Sequence, residues 1–248
     1  MATSAPIAVI IPALNEEQTI GRVIEAIPGL ADRIIVVDNG SSDGTSEVAR
    51  KCGAEVISEP IKGYGRACLT GMHALIGSTP LPFAVVFLDG DLSDDPGEME
   101  SLLEPILKDE FDMVIGSRVR GHPEPGALTF TQRFGNWLSC ALIKIFFGVT
   151  YTDLGPFRAL RWSSLMRLKM DDPAYGWTVQ MQVRAARLGM RIKEIPVNYR
   201  RRGGGKSKVS GTVKGVIGAG STIIYVIIKE AYNTWLETQV GEPRGEEI

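Results

Sequence analysis

Phe83-Ala-Val-Val-Phe-Leu-Asp-Gly-Asp91 decides the fold: an apolar run, Phe83 to Leu88, ends on two carboxylates separated by a glycine. An apolar run of this length, bounded by turn residues, reads as a strand buried on both faces. The glycine lets the chain turn out of the sheet, so both carboxylates can point into one cleft. Asp and Gly are also ordinary turn formers, and the tripeptide alone is equally well a plain turn. Its position in the pattern around it is what raises it to a site.

Outward from this stretch, short β-branched runs alternate with helical periodicity. Strands are expected at Ile7 to Ile11, Arg33 to Val37, Glu55 to Ile57 and Met113 to Ile115. Between them, helices are expected near Thr45 to Cys52, Gly65 to Ile76 and Gly97 to Lys108. Ile20, Val23, Ile24 and Ile27 share one helical face, with Asn15 and Gln18 at capping-box spacing before them. The fold class is therefore α/β, a mostly parallel sheet with helices on both faces. Ligands of such sheets sit beyond the carboxyl ends of the strands. Those ends are acidic here: Pro12 to Glu17, Asp38, and Asp89 to Asp91.

The second half is less regular. A helix over about Thr131 to Phe147 carries Phe134, Trp137, Leu138, Ala141, Leu142 and Ile145 on one face, which is expected to pack into the core. Asp153 to Arg161 reads as loop and strand, Thr178 to Leu188 as helix, and Arg191 to Tyr199 as extended chain. The division expected is a domain over 1–208 followed by an amphipathic helix and tail over 209–248.

With 248 residues, 44% of them hydrophobic and 23% charged, the chain can bury a substantial core. A net charge of -2 gives no global attraction to nucleic acid, and no nucleic-acid partner is expected. Cys52, Cys68 and Cys140 are scattered and odd in number, which suits a reducing cytoplasm rather than a disulfide framework or structural zinc. No secretory signal pattern opens the chain, and Gly215 to Ile228 falls short of the roughly 20 apolar residues of a membrane span. The expected location is cytoplasmic, peripheral at the inner membrane face.

Paired oxygen ligands such as Asp89 and Asp91 suit Mg²⁺ or Mn²⁺, whose remaining positions are commonly filled by water and substrate phosphate. Lys62-Gly-Tyr-Gly-Arg66 adds positive charge and close backbone approach, but is no dinucleotide fingerprint, since Cys68 stands where a glycine is needed. Tyr199 to Lys208, with Arg200, Arg202 and Lys206, is a basic, glycine-containing loop suited to closing over a leaving diphosphate. It fails as a phosphate-binding P-loop because Arg200 replaces the first glycine. Its charges would equally serve anionic lipid headgroups.

Ile10-Ile-Pro-Ala-Leu-Asn-Glu-Glu17 and Val36-Val-Asp-Asn-Gly-Ser-Ser-Asp-Gly-Thr45 complete the set. Together with the acidic pair, these motifs resemble family-two glycosyltransferases of the GT-A fold, in particular the dolichol-phosphate-mannose synthase and polyprenyl-phosphate glycosyltransferase branch. The resemblance spans roughly Ile7 to Lys208. It implies that Pro12, Ala13, Leu14, Glu16 and Asp38 hold the nucleoside, and that Lys62, Gly63 and Arg66 lie beside base and phosphates. It also implies that Asp89, Gly90 and Asp91 meet the donor through the metal, and that Arg118 meets donor sugar or phosphate. Asp153, in Thr152-Asp-Leu-Gly-Pro-Phe-Arg158, is implied as the catalytic base.

Plainer roles stand beside these: a capping turn for Asp38 to Thr45, a surface ion pair for Arg118, and a cap or a partner of Arg158 for Asp153. Relatives often carry an acidic residue in the helix after the tryptophan, where this chain has Gln180 and Gln182.

The activity implied is inverting transfer of a sugar from a nucleotide-diphospho-sugar donor, by likeness UDP-glucose or GDP-mannose, to a lipid-phosphate or other membrane-associated acceptor. The apolar tail with Tyr225, Tyr232 and Trp235 suits a membrane interface, and equally suits packing on the domain or on a second copy. Two other readings stay open. A sugar nucleotidyltransferase would normally show a basic glycine-rich loop where Pro12 to Glu17 is acidic, and a noncatalytic nucleotide-sugar-binding partner would retain the pocket without turnover.

Overall fold

The computed structural model describes residues 5–204 and 213–240. The first half runs β1 (Ile7–Ala13), α1 (Ile20–Ala26), β2 (Arg33–Asp38), α2 (Thr45–Lys51), β3 (Glu55–Ser58), α3 (Tyr64–Leu75), β4 (Ala84–Phe87) and α4 (Met99–Leu107). The second half follows with β5 (Met113–Pro123), α5 (Phe130–Phe147), β6 (Arg158–Arg161), α6 (Trp162–Arg167), α7 (Trp177–Arg187), β7 (Ile192–Tyr199) and α8 (Val213–Val240).

The strands form one sheet in the order β3-β2-β1-β4-β6-β5-β7. β1 pairs in parallel with β2 and β4, β2 with β3, and β5 with β7. β6 alone runs antiparallel to its neighbours β4 and β5. This is the expected mostly parallel sheet, and the unbroken apolar runs follow from covering both its faces. In β1, Ala8 and Ile10 join α3 residues Cys68 and Met72 in one core layer, while Val9 and Ile11 join Ile20 and Val23 of α1 in the other. Burying each such large side chain contributes about 1.5–3 kcal/mol. Gly71 lets α3 approach closely, since a Cβ there would stand 2.6 Å from Ile10 Cγ2.

Three expectations are corrected. The helix after β1 begins at Ile20 behind Thr19 with no side-chain cap, so Asn15 and Gln18 form no capping box. Asn15 instead takes positive φ and accepts a hydrogen bond from the Ser42 amide. β5 runs far past Ile115, because its charged outer half still pairs with β7 across a register shift.

The third correction concerns α5. Its supposed core face is largely exposed: Phe134 is 52%, Trp137 63% and Ile145 73% accessible, while Ser139, Cys140 and Ile143 are buried. Periodicity found a stripe correctly, but not whether anything covers it. α8 uses both of its sides: Val226 and Ile227 enter the core, Glu230 is buried between Arg184 and Arg187, and Tyr225, Tyr232 and Trp235 stay exposed. Among the described residues no helix is long and apolar enough to cross a membrane.

Candidate active site

Parallel pairing of β1 with β2 brings Ala13 level with Asp38, so the loops that follow them meet. Asn39 N donates to Ala13 O at 2.8 Å, Asn15 N to Ser41 Oγ at 2.9 Å, and Glu16 N to Thr45 Oγ1 at 2.8 Å. The two loops therefore make one wall containing Pro12, Ala13, Leu14, Glu16 and Asp38. Asp38 accepts from Ser41 N at 2.8 Å and from Ser46 Oγ. Burial pushes its carboxyl up, yet the hydrogen bonds from Ser41 and Ser46 outweigh this and hold it below the usual range. The capping-turn geometry is thus present, and it fixes the carboxylate that the resemblance assigns to the nucleoside.

Thr19 Oγ1 donates to Gly90 O at 2.8 Å, tying this wall to the acidic turn after β4. Asp89 is held by Tyr64 Oη at 3.0 Å and Asp91 by Ser93 N at 2.9 Å. Burial and the charge of Asp91 together raise Asp89 to about 7. Two half-buried carboxylates two residues apart in sequence are a donor set that could hold a divalent cation. Among the described residues no third carboxylate, histidine or cysteine joins them in a cluster. The pair therefore fits an ion completed by water and phosphate oxygens, as Mg²⁺ and Mn²⁺ are.

Arg202 reaches this turn from beyond β7, donating to Asp91 Oδ2 at 2.7 Å and to Glu16 Oε1. Gly203 N also donates to Asp91 O at 2.9 Å. Arg200 points elsewhere, pairing with Asp95 at 2.7 Å, and Lys206 lies outside the described residues.

Asp153 is buried and, among the described residues, its side chain is gripped by Arg118: Nε donates to Oδ2 at 2.8 Å, Nη2 to Oδ1 at 2.7 Å, and the Arg118 amide adds a third bond at 2.8 Å. Its ion-pair partner is thus Arg118 rather than Arg158, and Arg118 also lies over the Tyr199 ring. Arg158 instead braces the loop from below, donating to Thr178 O at 3.0 Å and to Gly155 O.

Glu194 Oε1 accepts from the Thr152 and Asp153 amides at 2.9 and 3.1 Å. Gln182 Nε2 donates to Asp153 O at 3.0 Å, and Asn136 clasps Thr152 O and Leu154 N. Glu194 and Asn136 were missed in the sequence because each reads as an unremarkable polar position, and Gln182 was noted only as standing where relatives often carry an acidic residue. Gln182 and Gln180 prove to be buried supports, Gln180 binding the Asp171 and Asp172 amides.

The glycines of the Lys62 to Arg66 loop serve a different end from the one expected. A Cβ on Gly63 would meet Pro173 O at 2.2 Å and one on Gly65 would meet Asp172 O at 2.0 Å. They admit neighbouring backbone, to which the Gly65 and Arg66 amides donate. Asn39 clamps the same loop through Gly63 N at 2.7 Å and leaves the Lys62 side chain exposed.

A cavity of about 420 Å³ opens beside Asp153 and Arg118, walled by Val119, Leu128, Trp137 and Tyr151. One further carboxylate was not singled out in the sequence. Asp94 is 2% exposed and neither oxygen has a hydrogen-bond partner among the described residues. Burial and then the charge of Asp89 push it well above the carboxylate range, with Asp91 and Asp153 adding to the effect and Arg118 opposing it.

A wall of two joined loops, an acidic turn and a braced carboxylate at one end of the sheet make an arrangement of the kind found in glycosyltransferases. The family model for glycosyl transferase family 2 matches residues 8–191, and the chain belongs to that family. It is 37% identical over 213 residues to an uncharacterized glycosyltransferase of Mycobacterium tuberculosis, covering 85% of this chain and 93% of the relative. It is 32% identical to the undecaprenyl-phosphate mannosyltransferase of Micrococcus luteus, with 83% and 88% covered. It is also 32% identical to the dolichyl-phosphate hexose transferase of Haloferax volcanii, with 90% and 95% covered.

Among solved structures, glucosyl-3-phosphoglycerate synthase of M. tuberculosis with phosphoglyceric acid superposes at TM-score 0.73 and 25% identity, covering 92% of this chain and 80% of that one. The same enzyme with Mn²⁺, UDP and glucosyl-3-phosphoglycerate gives 0.71 at 25% identity and the same coverage. These neighbours have the GT-A fold.

Proposed function

We propose that the chain is an inverting, divalent-metal-dependent hexosyltransferase. In this reading the donor is a nucleoside-diphosphate sugar of the UDP-glucose or GDP-mannose type, and the acceptor is a polyprenyl phosphate presented at a membrane surface. The observation that carries it is the largely apolar-walled cavity lined by Asp153 and Arg118, whose guanidinium also acts electrostatically on Asp89. An amphiphilic acceptor needs such a pocket, with a cation for its phosphate and hydrocarbon contact behind.

Pro12, Ala13, Leu14, Glu16 and Asp38 receive the nucleoside, with Lys62, Gly63 and Arg66 near base and phosphates. Mg²⁺ or Mn²⁺ held by Asp91 and Asp89 beside Gly90 would stabilise the negative charge of the departing diphosphate. Arg202 is already at that place, and Arg200 and Lys206 flank it in sequence. Asp153 orients the acceptor nucleophile and takes any remaining proton. A phosphate acceptor, with a second pKa of about 6, is largely ionised at neutral pH and needs mainly alignment.

Membrane contact is supported by α5, whose exposed Phe130, Phe134, Trp137 and Ile145 accompany Arg133 and Lys144 and no acidic residue. Aromatic side chains beside cations are the composition of an interfacial helix, with each cation contributing about 1 kcal/mol at an anionic surface. The cytoplasmic leaflet is the face this reading requires. The exposed side of α8 offers either further membrane contact or a seat for a second copy of the chain.

The test is nucleoside-diphosphate release with Mn²⁺, comparing undecaprenyl phosphate in vesicles with 3-phosphoglycerate in solution, for UDP-glucose and GDP-mannose. Release only with the lipid supports the reading. Release only with phosphoglycerate refutes the acceptor, and binding without release to any acceptor leaves a noncatalytic partner.

A further inference from the structure

The strongest unexplained group in the molecule is Asp94. Its side chain is almost wholly buried, both oxygens lack hydrogen-bond partners among the described residues, and the main charges that act on it are those of Asp89, Asp91, Arg118 and Asp153. Burying a polar group without a partner is costly, and native proteins seldom leave one so without a functional reason. Asp95 next to it shows the ordinary alternative, since that carboxylate accepts from Gly97 N and pairs with Arg200. The backbone leaves Asp94 little freedom to escape. Residue 94 bridges to Tyr199, and Arg200 N donates to Ser93 O at 2.7 Å, so the segment is pinned against the end of β7.

The surroundings of Asp94 identify what is missing. It lies in the common field of the acidic pair and of Asp153, which in the proposed reaction flank the diphosphate and the acceptor. Transfer in line at the anomeric carbon puts the sugar ring between those two groups. We infer that Asp94 recognises the donor hexose, its two carboxylate oxygens accepting hydrogen bonds from sugar hydroxyls, and that it sets which hexose the enzyme takes. This rests on the transferase reading above. A carboxyl group is suited to the task because its two oxygens match a pair of neighbouring hydroxyls, accepting from both when ionised and donating from one oxygen when protonated. Specificity follows because a site built around hydroxyl contacts is left with unpaired buried groups when a hydroxyl is missing or misplaced.

The test is titration calorimetry in Mn²⁺ with UDP, UDP-glucose, GDP and GDP-mannose on the full chain, its Asp94→Asn variant and its Asp94→Ala variant. For whichever sugar nucleotide the native chain binds, affinity is expected to fall about tenfold to a hundredfold in both variants, the scale of losing hydrogen bonds to a charged acceptor. Affinity for the matching bare nucleoside diphosphate is expected to be unchanged, which also reports an intact fold. A donor deoxygenated at the recognised carbon should bind the native chain more weakly and lose nothing further in the variants. Equal losses for sugar nucleotide and bare nucleotide would assign Asp94 to metal or nucleotide instead, and no loss for either would remove it from the site. A native chain that binds none of the four ligands would overturn the transferase reading itself.

Discussion

The two halves of the site treat carboxylates in opposite ways. Beside β1 and β2, half-buried Asp38 and exposed Asp43 accept from hydroxyl and amide donors that hold them below their usual range against some desolvation. Beyond β4, Asp89 is pushed up to about 7 and Asp94 well above the carboxylate range, with few donors or none among the described residues. The first half is finished by folding. The second holds acidic groups whose ionisation is disfavoured, relieved by a proton or by a cation, and perturbed groups of this kind concentrate at functional sites.

The largest effect that would break this contrast is at Asp91. Asp91→Asn should lower sugar transfer at least about a thousandfold, the scale of losing a principal electrostatic stabiliser, with little change in melting temperature. Near-native, metal-dependent turnover in that variant would refute the assignment.

A second test uses ligands. Mn²⁺ with UDP should raise the melting temperature by several degrees when the ligand is at about 100 times its Kd, whereas either alone should do much less. Equal shifts with and without the metal would show that the acidic turn is not a cation cradle.

A smaller effect is expected where Asp153 is braced. Glu194→Gln keeps shape but weakens the hold on the Thr152 and Asp153 amides, so kcat should fall about tenfold with donor KM nearly unchanged. A loss confined to KM would place Glu194 in donor binding instead.

The smallest effect is in pH dependence, and its sign differs between the halves. Asp38 has a depressed pKa in the folded chain, so its contribution to stability is present above the unfolded carboxylate range and is lost as pH falls through the folded value. Asp89 is raised from 3.8 to about 7, so in chelator it increasingly opposes folding as pH rises across that interval. Denaturation midpoints from pH 3 to 8 should therefore show Asp38→Asn flattening the acid limb and Asp89→Asn flattening the neutral one. The same sign for both would erase the distinction.

Much of this was legible in the chain. The alternation of Ile7 to Ile11 and Arg33 to Val37 with helical segments gave the sheet, and the turn at Asp89 to Asp91 marked the edge where the proposed site lies. The face of α5 was misread because periodicity encodes amphipathicity but not its partner. Asp94 was passed over because Asp94-Asp95-Pro96 reads as a helix-entry turn, and Asp95 does perform that role. Only burial separates the two neighbours, and burial depends on the distant end of β7. Gln182 and Glu194 escaped for a related reason, since their function is to hold backbone that lies 29 and 41 residues from them in sequence.

The guanidinium of Arg202 on Asp91 and Glu16 has a consequence for the order of events. Before substrate arrives, this side chain serves as an internal counter-ion, so a bare divalent ion must compete with a covalently tethered cation. A pyrophosphate offers Arg202 a new anion at the moment it delivers oxygens to the metal, and the exchange leaves no charge stranded. Donor and metal would then be admitted together, and an empty protein would be poor at scavenging ions from solution.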